Sequence, residues 1–152
     1  MKPPLNTVAL AGNQVSQALP LVQVTWPEVD AAAWLRFVRS LTSRTEKSGV
    51  LALQDAADYL CGLLVYEVEN DLRAGLILTI HVFTAMDLAN SAEVVQALLE
   101  AATLKAVDFG CTGVQIRVSG EQAALAARVR GLGYTERAGY LWKRIALPPN
   151  ES

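Results

Sequence analysis

The sequence predicts a mixed α/β fold, and three features predict it. Segments rich in β-branched, aromatic and leucine residues run through 50–53, 59–69 and 72–83; an amphipathic stretch follows over 90–109; strict alternation returns at 114–118. The apolar period therefore changes from about 2 to 3.6 and back again, the pattern of strands interrupted by a helix.

The first twenty residues carry no clear period, so irregular chain or one edge strand is expected there. Thr25-Trp26-Pro27-Glu28 reads as a helix start: threonine can cap, proline suits the first turn and glutamate completes a capping box. Ala31, Trp34, Val38 and Leu41 then follow at spacings of three and four, giving one apolar helix face, and 43–49 is a polar loop. The three strand segments are separated by turns at 55–58 and at Asn70-Asp71. Such short connections force antiparallel pairing, because a parallel pair needs a long crossover. Leu76 to Phe83 is apolar at nearly every position, as a central strand buried on both faces would be.

The helix over 90–109 turns Val95, Leu98, Ala102, Ala106 and Phe109 inward and Glu93, Gln96, Glu100 and Thr103 outward, and Gly110 ends it. Val114, Ile116 and Val118 alternate with polar residues. The strand–helix–strand order implies a crossover and a parallel pair. Ser119-Gly-Glu-Gln122 is a second capping box, opening a helix that stops near Gly131, and a hairpin about Ala138-Gly139 completes the chain.

At 152 residues the chain has the length of a single domain, residues 1–152, with 1–20 and 148–152 peripheral or poorly ordered. Hydrophobic residues make up 52% and charged residues 18%, yet no apolar run approaches the roughly 18 residues a membrane span needs. The apolar excess instead predicts a large core and a surface shared in a homodimer. A net charge of −2 gives no electrostatic case for nucleic acid. Arg36, Arg39, Arg44 and Lys47 cluster, but Glu46 interrupts them, and a solvated helix end accounts for them. Cys61 and Cys111 form no CxxC pair, which argues against a disulfide framework and a structural metal. The N-terminus carries no secretory pattern, so a cytoplasmic location is expected.

Gly49-Val-Leu-Ala-Leu with Leu60-Cys-Gly-Leu-Leu64, then Leu76 to Phe83 with the helix after it, then Leu125-Ala-Ala-Arg-Val-Arg-Gly-Leu-Gly-Tyr134 with Tyr140-Leu-Trp-Lys143, stand in an order that resembles the GNAT N-acetyltransferase superfamily. The likeness spans about 22–145. It implies an α/β (α+β) three-layer α-β-α fold, whose mixed, mostly antiparallel sheet holds one parallel βαβ crossover. It also implies an acyl-CoA-dependent N-acetyltransferase that takes acetyl-CoA or another acyl-CoA and a small-molecule or peptide amine. Val82, Phe83, Thr84, Asn90, Ser91 and Ala92 would then meet the cofactor.

The chain departs from the family pattern at that point. Where the family has an arginine and glycines that bring backbone N–H groups to a pyrophosphate, this chain has Asn90-Ser-Ala-Glu93-Val-Val95. Glu93 favours the helix dipole and can cap with Asn90. About 5 Å from a pyrophosphate, at an effective dielectric near 20, the same charge would repel by roughly 3 kcal/mol. The family's acidic tyrosine falls on Val129, and its preceding asparagine on Gln122, here read as a cap. Asp87 adds a further negative charge near the loop.

His81, the sole histidine, lies on the central strand, where it is either a base toward an amine or a packed, hydrogen-bonded core residue. Glu67 and Glu69 share a strand face, able to receive a cationic amine or simply to meet solvent. Tyr140 and Trp142 read as core or interface. The rival function is a non-catalytic GNAT-like module for protein interaction or regulation.

Overall fold

The computed structural model describes residues 5–86, 92–118, 120 and 122–145. Seven strands form one sheet in the order β1-β2-β3-β4-β5-β7-β6. They are β1 (Asn6–Leu10), β2 (Ser48–Gln54), β3 (Leu60–Asp71), β4 (Gly75–Ala85), β5 (Gly113–Ile116), β6 (Thr135–Arg137) and β7 (Tyr140–Arg144). Only β4 and β5 run parallel; every other pair is antiparallel. Helices α1 (Asn13–Gln17), α2 (Leu19–Thr25) and α3 (Ala31–Arg44) lie on one face, α4 (Ala92–Asp108) and α5 (Ala123–Gly131) on the other. This is the three-layer mixed fold expected, with β4 at its centre.

Each face has its own core. Leu51, Leu53, Leu64, Leu78, Ile80 and Phe83 pack with Val95, Leu98, Ala102 and Ala106 of α4 and with Leu125 and Val129 of α5. Val50, Ala52, Leu63 and Val65 pack with Trp34, Val38 and Leu41 of α3 and with residues of α1 and α2. The alternation along β2 and β3 thus sends apolar side chains both ways, so both strands lose their polar side. Among the described residues no helix is long and apolar enough to cross a membrane.

The amino-terminal end differs from expectation. β1 is indeed an edge strand, but α1 and α2 follow it, and Leu10, Val15 and Ala18 are buried. The Thr25 capping signal is not used either. Thr25 closes α2, and α3 opens at Ala31, where Asp30 Oδ1 accepts the Ala33 amide at 2.8 Å. Ala31, being the first residue of that helix, is exposed, while Trp34, Val38 and Leu41 are buried.

The two strand turns are built by aspartates. Asp55 accepts the amides of Ala57 and Tyr59, as expected at 55–58. Asp71 accepts those of Arg73 and Ala74, which moves the second turn past Asn70-Asp71 and leaves Leu72, expected in a strand, fully exposed at its tip. The last hairpin turns at Ala138 (φ 52) and Gly139 (φ 85), the left-handed pair that a two-residue connection demands.

Trp142 lies flat against the sheet, as half-buried cover rather than core. A Cβ added to Gly113 would stand 2.2 Å from the indole, and the Arg137 guanidinium lies over the ring, 4.6 Å from its centroid. Gly113→Ala should therefore push the indole out and cost about 1–3 kcal/mol of stability, read by urea unfolding with tryptophan fluorescence.

Candidate functional site

β4 and β5 pair only from Ile77↔Gly113 to Ile80↔Ile116. One further link follows, from the Arg117 amide to the Ile80 carbonyl at 3.0 Å, and then the strands part. β5 ends at Ile116, whereas β4 continues to Ala85 on β3 alone. The parting leaves a wedge between the outer end of β4 and the start of α5, beside the amino end of α4.

Of the residues expected to meet a cofactor, Val82, Phe83 and Thr84 lie on this free stretch of β4, and Ala92 is the exposed first residue of α4. Asn90 and Ser91 fall outside the described residues, as do Asp87 and Ser119. Glu93 stands exposed in the first turn of α4, where its charge favours the helix dipole. Val129, opposite the family's tyrosine, is fully buried and has no proton to give.

Ser119 and Glu121 of the expected capping box fall outside the described residues, but Gln122 is described. It occupies the N-cap position of α5 yet makes no capping bond from its side chain. Its Nε2 instead donates to the Phe83 carbonyl at 2.7 Å, across the wedge. The bond gives a buried β4 carbonyl a donor, and a buried carbonyl left without one is costly. On the opposite face the Thr84 hydroxyl is 3.3 Å from the Leu21 carbonyl and 2.8 Å from Thr25 Oγ1.

At the fork itself the register slips. Val65 pairs with Val82 and Tyr66 with Ile80, which leaves His81 as the extra residue of a β-bulge. His81 Nε2 lies 2.8 Å from Glu67 Oε1 and 3.4 Å from Glu69 Oε1. The Arg44 guanidinium, at the end of α3, donates to the same Glu67 oxygen at 2.9 Å. Gln115 Nε2 donates to Thr79 Oγ1 at 3.0 Å on the next strand. The helices of this side pack on β2 and β3 and, through α2, on β4, so a polar network runs from α3 over three strands to the fork.

Two readings change here. Glu67 is not on a solvated strand face; only 7% of it is exposed. Arg44 is not merely a solvated helix end, because it neutralises that carboxylate. His81 is indeed hydrogen-bonded, but to an acid at the fork rather than within an apolar core. The ligating atoms of Glu67, Glu69 and His81 lie within 4.8 Å of one another, a spacing open to a divalent cation, although Arg44 already brings a positive charge to it.

Burial, then the hydrogen bond to Glu67, holds the Glu69 carboxyl above its ordinary range, and His81 only partly offsets this. A group whose folded-state pKa is raised adds stability at low pH that is lost as pH rises through the folded value. Glu69→Gln should therefore melt higher than the parent at pH 7, with the gap closing as pH falls through the raised value toward the usual carboxylate range. Burial also pushes both thiols, Cys61 and Cys111, up and so keeps them protonated. Tyr134 is pushed up to about 12 by burial, too high to release a proton near neutrality.

No protein-family model matches the chain, and no curated protein matches it. Solved structures do. The chain is similar to the aminoglycoside N-acetyltransferase AAC(6')-Iy in complex with CoA, at TM-score 0.76 and 12% identity over 100% of this chain and 98% of the other. It is also similar to the ribosomal-protein-S18-alanine N-acetyltransferase from Escherichia coli, at TM-score 0.72 and 13% identity over 98% and 99%. An acetyltransferase of the GNAT family from Streptococcus pneumoniae aligns at TM-score 0.68 and 12% identity over 94% and 100%. The chain has the fold of the GNAT acetyltransferases. At these identities the likeness is one of architecture, and it spans nearly the whole of each chain.

Proposed function

We propose that this protein is an acyl-CoA-dependent N-acyltransferase, with acetyl-CoA as its simplest donor. The observation that carries the reading is the parting of β4 from β5 after Ile80↔Ile116, beside the amino end of α4. The thioester arm would lie along Val82, Phe83 and Thr84, with the phosphates near Asn90, Ser91 and Ala92. One structural neighbour is bound to CoA and another is named for an alanine acceptor, which supports the same donor and an amine acceptor here.

The acceptor is an amine, carried as a cation to the acidic pair Glu67 and Glu69. His81 and Glu67 take its proton at the fork, and the freed lone pair attacks the thioester carbonyl directly. The carbon–sulfur bond breaks, the amide forms, and the thiolate leaves to be protonated by water. The protonated thiols of Cys61 and Cys111 favour direct attack over an acyl-cysteine route. With Val129 where the family has its tyrosine, holding amine and thioester in place supplies most of the acceleration. The same reading makes residues 1–152 one cytoplasmic domain with no nucleic-acid partner. A homodimer sharing an apolar surface belongs to the same proposal.

Titration with acetyl-CoA tests the reading by melting temperature. At ten times Kd, binding adds about 1.4 kcal/mol, a rise of roughly 3–5 °C for a chain of this size. An unmoved transition at millimolar acetyl-CoA would leave the non-catalytic interaction module.

A further inference from the structure

We infer that Gln122 is a positioning residue for acyl-CoA, acting as a stand-in for the strand that β5 does not provide. The inference rests on the acyltransferase reading and concerns how its cleft is held open. Phe83 lies beyond the last β4–β5 pair, where the neighbouring strand has already ended. In a continuous sheet its outward carbonyl would take a backbone donor. Here the donor is the Gln122 side-chain amide at 2.7 Å, and Gln122 is 3% exposed. A buried primary amide is costly without partners, so its placement selects one geometry of α5 relative to β4.

The adjacent residue is pinned from the other side. The Thr84 hydroxyl, itself fully buried, is tied to Leu21 and Thr25 of α2. Consecutive residues of the free β4 segment are thus fixed to α5 and to α2, and the width of the wedge is set before any ligand arrives. A cleft ordered in advance spares the ligand the cost of ordering it. Gln122 therefore contributes to affinity through β4, without touching the reacting atoms.

Isothermal titration of acetyl-CoA into the full chain at pH 7.5 and pH 5 tests this with two variants. Gln122→Leu removes the donor, and its Kd should rise about tenfold at both pH values. Gln122→Glu keeps the shape. Ionised at pH 7.5 it repels the Phe83 carbonyl and should weaken binding at least as much; at pH 5, a carboxyl protonated beside that carbonyl donates again, and affinity relative to the parent should recover. Variants that bind as tightly as the parent at pH 7.5 overturn the inference, and so does a Gln122→Glu deficit unchanged at pH 5. Melting curves of both variants accompany the titrations, and a variant that is unfolded while the other binds like the parent also overturns it. A parent chain that binds no acetyl-CoA sinks the acyltransferase reading first, and this inference with it.

Discussion

Trp34→Ala should lower the unfolding free energy by about 3–5 kcal/mol, the range for removing a buried tryptophan, and the melting temperature by roughly 10–15 °C. Trp34 is 2% exposed and stands at the centre of the core between α1–α3 and the sheet. Its Nε1 donates to the Val15 carbonyl at 2.6 Å, which ties α3 to a five-residue helix with little stability of its own. The alanine leaves a cavity and removes a donor that the α1 carbonyl uses. Trp34→Phe fills most of the space and should cost about 1–2 kcal/mol, the range for one lost hydrogen bond, because the Val15 carbonyl keeps the Ala18 amide. Chemical denaturation of both variants checks the pair. A Trp34→Ala cost below 1 kcal/mol would mean that the α1–α3 layer is only loosely attached.

The largest expected effect on activity is at Glu67. Glu67→Gln should reduce kcat/KM for amine acetylation by about a hundredfold or more, the usual range for losing a positioned proton acceptor. The amide can still accept from Arg44 and His81 at the distances the carboxylate uses, so the fold should survive. Only the charge goes, and with it the attraction for a cationic amine and the place for its proton. His81→Gln should behave alike. Unchanged turnover in both variants, with acetyl-CoA binding intact, would move the proton acceptor elsewhere.

The architecture was legible because its long elements are strongly periodic. α4, β3 and the alternation around Val114 and Ile116 follow directly from spacing, and the parallel pair follows from their order. Short elements were not legible. α1 and α2 hold five and seven residues, fewer than two full turns each, and no periodicity resolves them. Local signals also competed: Thr25 and Asp30 both suit a cap, and tertiary packing of Trp34 chose the second. At the candidate site, His81, Glu67 and Glu69 were visible as residue types, but their meeting depends on a register slip that an all-apolar strand conceals. Arg44 comes from another element altogether, and nothing local marks it as the partner of Glu67. The bond from Gln122 to Phe83 was not legible because Ser119-Gly-Glu-Gln122 has the spacing of a capping box, and the acceptor lies 39 positions away.

The extra residue at His81 also fixes what β4 can tolerate. Before it, even-numbered residues such as Leu78 and Ile80 turn toward α4; after it, Phe83 does so, while Val82 and Thr84 turn toward α2. The strand thus changes phase once along its length. Deleting His81 would remove the extra residue, and simple alternation would still turn Ile80 and Phe83 toward α4 and Val82 and Thr84 toward α2. Removal of two neighbouring residues would keep the slip and shorten the strand. The bulge is thus a single spare residue in β4, one that the strand could lose without turning either half over.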